Sequence, residues 1–150
     1  MSPALIIVNH WVHLMAAITA VGGTICLVLS VIPAENQTLN DETRPEFQRV
    51  LRRKLTPLIH GSVALLILTG LVNLMNASRS FAGHMSALYG LIFGLKFILA
   101  VILFGIAIAL TISSEALARF HARRRFWLSI NVLLGLVIVL LSAWLRWIPR

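Results

Sequence analysis

Four apolar runs, at about 4–32, 56–75, 88–112 and 126–148, are each long enough to cross a bilayer. No other feature of the sequence constrains the fold as strongly. A hydrocarbon core about 30 Å thick takes about 20 residues of helix. Lipid offers no partner to a bare N–H or C=O, so segments of this length must be helices that satisfy their own backbone. No strand-like alternation, internal repeat or low-complexity tract interrupts the runs. Composition agrees: 59% of the 150 residues are hydrophobic and 12% are charged, more apolar surface than a soluble domain of this size can hide. The expected fold is all-α integral membrane, an antiparallel four-helix bundle forming one domain over residues 1–150.

The links between the runs set a direction. The first, "PAENQTLNDETRPEFQRVLRRKL", begins polar and ends basic, and its Arg44 to Leu55 half is expected to extend the second helix beyond the bilayer. It holds Arg44, Arg49, Arg52, Arg53 and Lys54. The third link holds Arg119, Arg123, Arg124 and Arg125, whereas the opposite side has only Arg79, Arg146 and Arg150. The positive-inside rule then places both termini on the outer (periplasmic) side and the basic links in the cytoplasm, as in a bacterial inner membrane. This pattern accounts for the net charge of +8 without a nucleic-acid partner. Trp11, Tyr89, Trp144 and Trp147 fall near the outer boundary and Trp127 near the inner one, as an aromatic belt would. The start, "MSPALIIV", has no Lys or Arg and leads into a run too long for a signal h-region, so the first helix is expected to be retained. Cys26 stands alone, which leaves no internal disulfide and no cysteine cluster.

Small residues mark expected close approaches: Ala16, Ala17, Ala20, Gly22 and Gly23; Gly61, Ala64 and Gly70; Gly90 and Gly94. Pro57, in the first turn of the second span, is expected to kink it.

Polar side chains inside spans are costly and therefore become functional candidates. One half of the bundle collects His10, His13, Asn73, Asn76 and Lys96, with His84 on the adjoining link. The other half collects His60 and Asn131, with Arg52, Arg53, Lys54 and His121 at its edge. His13 and Lys96 lie at matching depth, roughly 12 Å below the outer boundary at ~1.5 Å per residue. His60 lies roughly 12 Å farther along the membrane normal, so His13 and His60 are not expected to share one haem. Lys96 has no acidic residue in its span. It must snorkel, meet a bound anion, or lose its proton and offer a neutral amine to a metal. Neutral imidazole suits haem iron, copper or zinc. His10 and His13, three apart, share a helical face and could chelate copper, with His84 as a third donor. Met15 and Met85 are too scattered to form a thioether track. The structural alternatives are an interface position for His10 beside Trp11 and a hydrogen bond to a neighbouring helix for His13. The spans hold no carboxylate relay for a pump, and no repeated or broken helices for a secondary transporter.

The order of features, "HLMAAITAVGG", then "RRKL" and "HGSVALLILTGLVNL", then "ALYGLIFGLKFILAVILFGIAIAL", then "INVLLGLVIVLLSAWL", resembles the CopD-like superfamily of bacterial four-helix membrane domains. That group includes the copper-resistance D domain and, more distantly, the HemJ-type protoporphyrinogen oxidases. The "TGLVN" piece (Thr69 to Asn73) and the "YG…LK" piece (Tyr89 to Lys96) are its more specific parts. The resemblance implies a b-type haem or a copper-linked role. Its HemJ branch would map a first-helix His and a third-helix Lys onto His13 and Lys96. Where that branch has a Trp after the first-helix His, this chain has Ile18 to Val21.

The resulting expectation is a small membrane protein that binds haem b. His13 is the first ligand candidate, His60 the second, and Lys96 is a propionate contact or other axial group. Arg52 and Arg53 are candidates for the propionates of an inner haem. Electron transfer with quinone or a redox partner protein is the expected use, by the chain alone, as a homo-oligomer or as a subunit of a larger complex. The alternatives are HemJ-like protoporphyrinogen oxidation, and a copper-handling or structural membrane subunit without haem. Whether the chain is an enzyme stays open at this stage.

Overall fold

The computed structural model describes residues 2–81, 87–112, 114, 117–145 and 147, and only the backbone over 77–81. Every regular element among them is helical: α1 (Pro3–Cys26), a π-helical turn (Leu27–Val31), α2 (Ile32–Thr38), α3 (Arg44–Phe81), α4 (Ala87–Thr111), α5 (Ala118–Ala122) and α6 (Arg124–Trp144). Four helical stretches are long and apolar enough to cross a membrane: Pro3–Thr38, Arg44–Asn76, Ala87–Thr111 and Arg124–Trp144.

Local sequence explains the boundaries. The Ser2 hydroxyl accepts from the Leu5 N–H and Pro3 occupies the first turn, where its missing N–H costs nothing. At the far end the helix continues beyond Ile32, where the apolar run stops. Pro33 has no N–H for the carbonyl of Leu29, and the π-helical turn directly before it absorbs the mismatch. The chain leaves helical geometry only at Leu39, whose backbone is extended. Asn40 then organises the reversal: its side-chain oxygen accepts from the Thr43 N–H at 3.0 Å and from the Thr43 hydroxyl at 2.6 Å. Arg44 bridges back to the Leu39 carbonyl at 3.0 Å.

The 38 residues of α3 span about 57 Å, nearly twice a hydrocarbon core. Its polar Arg44–Leu55 portion is thus one continuous helix with the membrane-spanning portion, as the sequence implied, and the helix runs through Pro57 without ending.

The long helices pair unequally. α1 packs most extensively on α3, and α4 on α6; α1 with α6 and α3 with α4 form thinner contacts. The molecule is therefore two tight helix pairs joined along a looser seam. Near one end, Ile92, Leu141 and Leu145 pack with Tyr89, Phe93, Leu99 and Val137. Near the other, Ile32, Ile106, Leu110 and Leu128 pack with Val28, Phe120, Trp127, Ile130 and Leu134. Phe120 stacks on Trp127 there, with ring centroids 4.4 Å apart. Outward faces stay apolar: Ile7, Leu29 and Leu91 are each about two-thirds or more exposed, which suits contact with lipid rather than water.

Close backbone approach occurs where the sequence did not mark it. A Cβ added at Gly135 of α6 would meet Val21 Cγ2 at 3.0 Å and Cγ1 at 3.2 Å. At Gly22, Gly23, Gly61 and Gly94 it would meet nothing within 4 Å. Space beside those glycines is open, at Gly23 because it borders a small recess between α1 and α3, a matter of rotational setting that spacing alone does not fix.

Candidate cofactor-binding site

The half of the bundle that holds the start of α1 contains a group of polar side chains linking α1 to α3. Asn9 and His13 lie four apart on one face of α1; Thr69 and Asn73 lie four apart on α3. The Asn9 amide donates to Asn73 Oδ1 at 2.8 Å and to the Thr69 carbonyl at 3.3 Å. His13 Nδ1 lies 2.7 Å from Thr69 Oγ1. The Thr69 hydroxyl in turn donates to the Leu65 carbonyl within its own helix. Ascending residues of α1 meet descending residues of α3, so the two helices are antiparallel. Thr69 is buried, while Asn9, His13 and Asn73 are partly buried. Gly70 lies beside the imidazole, where a Cβ would sit 3.8 Å from His13 Cε1.

Lys96 comes from α4, in the other helix pair. It is partly buried and within electrostatic range of His13, as is His10. His13 and Lys96, which the sequence reading expected at equal depth, thus lie on different helix pairs and sense each other electrostatically. His10 is exposed and makes no part of the α1–α3 network.

The remaining candidates lie elsewhere. His60 precedes Thr69 by nine residues on α3, roughly 13 Å along the helix. It is exposed, with Nε2 3.2 Å from Thr111 Oγ1 of α4, and the Thr111 hydroxyl donates to the Ile108 carbonyl at 2.7 Å. Arg52 and Arg53 are farther still, roughly 25 Å from the Thr69 level. A porphyrin held at His13 is out of their reach. Arg53 is exposed, and Arg52 lies near the α2–α3 reversal, where Glu35 is buried and accepts from Gln48, and where Arg124 is within electrostatic range of both Arg52 and Glu35. The polar groups therefore form two separate levels, not one constellation.

Among the described residues, no three of His, Cys, Asp and Glu converge as a metal site. His84 and Met85, which the copper arrangement would use, lie outside the described residues, as do Glu115, Arg146, Arg150 and the side chain of Arg79. A small recess between α1 and α3, lined by residues including Thr19, Gly23, Leu58 and Ser62, has a volume of about 20 Å³. That is room for a water molecule and not for a cofactor.

The sequence reading missed Asn9 and underused Thr69. The signal was available: Asn9 lies one turn before His13, and Thr69 one turn before Asn73, at the spacing that puts side chains on one helical face. Asn131, buried on α6, is a structural polar group: its amide donates to the Leu103 carbonyl of α4 at 2.9 Å.

No protein-family model, curated protein or solved structure matches the chain.

Proposed function

We propose that the chain is a small haem b-binding protein of the bacterial inner membrane, with both termini on the outer side, and that it carries electrons to or from quinone or a redox partner. One observation supports this most: His13 is anchored through Nδ1 on Thr69 inside an apolar helical assembly, with Lys96 of α4 within electrostatic range. The donor types suit the group. An imidazole held by one nitrogen has the other to offer to iron, and metal-bound histidines characteristically have such an anchor. A lysine with no carboxylate in its span is matched to an anionic substituent of the macrocycle. Haem, when bound, supplies one-electron chemistry; the chain's part is to orient the ligand and keep its surroundings apolar. Thr69 and Asn9 do the orienting, because they tie α1 to α3 at the level of His13.

The CopD-like resemblance favours the same reading. The separation of His60 from His13 along α3, roughly 13 Å, favours Lys96 over His60 as the second group that would hold the same haem, by a propionate or as a ligand.

The test is the reduced-minus-oxidised visible spectrum of the purified chain after expression with ample haem. Haem b bands are expected, lost or strongly altered in His13→Ala and retained in His60→Ala. A wild-type protein without haem bands, or a His13→Ala spectrum identical to wild type, refutes the proposal.

A further inference from the structure

The hydroxyl of Thr69 has one hydrogen, and the Leu65 carbonyl one turn back in its own helix is placed to take it. Toward His13 the Thr69 oxygen can therefore only accept. The 2.7 Å contact then requires the hydrogen on His13 Nδ1, and the neutral ring carries its lone pair on Nε2.

His60 provides an internal contrast. Its contact is made by Nε2, and the Thr111 hydroxyl is likewise placed to donate to the Ile108 carbonyl. By the same reasoning His60 bears its hydrogen on Nε2 and its lone pair on Nδ1. His13 and His60 are thus set in opposite tautomers, each beside a threonine whose hydroxyl reaches back to a carbonyl of its own helix.

We infer that Thr69 is a positioning residue which locks His13 as the Nδ1–H tautomer and so presents Nε2 as an electron-pair donor. The ligand class this selects is an electron-pair acceptor, a metal centre foremost. A hydrogen-bond acceptor such as a quinone carbonyl is not served by this nitrogen. The lock has a second tier: Asn9 donates to the backbone carbonyl of Thr69 itself and to Asn73, which fixes α1 and α3 in the register that sets Thr69 opposite His13. The link to haem rests on the function proposed above; the tautomer does not.

Two measurements on the full chain separate these layers. The first uses protein labelled with ¹⁵N-histidine in detergent micelles without haem. Nitrogen spectra distinguish protonated from bare ring nitrogens, and subtraction of the His13→Ala spectrum isolates His13. Wild type and Thr69→Ser, which keeps the hydroxyl, are expected to show a single Nδ1–H tautomer. Thr69→Val, near-isosteric but with no oxygen, is expected to show a mixture of both. An Nε2–H tautomer in wild type, or no change in Thr69→Val, overturns the inference. The second measurement titrates haem b into the same proteins. Loss of an anchor of this kind lowers metal affinity by about 10–100-fold, so Thr69→Val should weaken binding by that factor and Thr69→Ser by much less. Equal affinities in all three proteins overturn the positioning role toward iron. If wild type binds no haem while its tautomer is as stated, the proposed function fails and the lock stands.

Discussion

Gly135→Ala tests the α1–α6 contact most sharply. The added Cβ would stand 3.0 Å from Val21 Cγ2 and 3.2 Å from Cγ1, against an optimum of about 3.5–4.0 Å for two carbons. Val21 cannot turn aside, because a β-branched side chain in a helix has essentially one χ1 rotamer. The helices must therefore part by a few tenths of an ångström along a seam that is already thin. Overpacking of this kind costs about 1–3 kcal/mol, offset by about 1 kcal/mol of helix propensity gained when glycine becomes alanine. The net expectation is a destabilisation of about 1 kcal/mol. The clash and the propensity are separated by a second substitution, Val21→Ala, which removes both γ carbons. In that background Gly135→Ala should be neutral or stabilising, giving a coupling energy of about 1–3 kcal/mol. Reversible unfolding in mixed micelles, followed by circular dichroism for all four proteins, measures it. Additivity within about 0.5 kcal/mol, the behaviour of independent sites, would refute the contact.

Two further substitutions address the two polar levels. Asn9→Ala removes the amide that bridges to Asn73 and the Thr69 carbonyl, and should cost about 0.6–1.7 kcal/mol in the same unfolding assay, the range for interhelical hydrogen bonds in membranes. Glu35→Ala removes a buried carboxylate that accepts from Gln48 and lies near Arg124, and should cost about 1.5–3 kcal/mol; Glu46→Ala, which breaks only the exposed pair with Arg49, should leave stability nearly unchanged, and the reverse ranking would contradict the burial argument.

The helical class and the four crossings were legible because hydropathy over 20 residues is a strong signal that packing rarely overrides. That His13 and Lys96 fall in the same half of the bundle was an expectation from rise per residue, and the structure adds that the two are within electrostatic range. Rotation about each helix axis was not legible. The helices are apolar nearly all round, so no polar face announces which side turns inward, and the glycines at 22, 61 and 94 gave no guide to the approach that occurs at Gly135. How far the first helix runs beyond its apolar stretch was not legible, for a different reason. Pro33 ordinarily signals a stop, but a π-helical turn before it let the helix continue to Thr38. Asn9 escaped notice because an asparagine close to the start of a span reads as a boundary residue. Only its bonds to α3 reveal it as part of the interior.

The division into two tight pairs has a consequence for how the protein is made. The bonds among Asn9, His13, Thr69 and Asn73 join α1 to α3 alone and need nothing from later sequence. Lys96 arrives only with the second pair, when the preformed halves meet side by side in the lipid. The anchor of His13 is thus independent of the helix that carries Lys96. A lesion confined to the seam would leave a chain that inserts normally and holds its histidine correctly, yet never completes the juxtaposition at its centre.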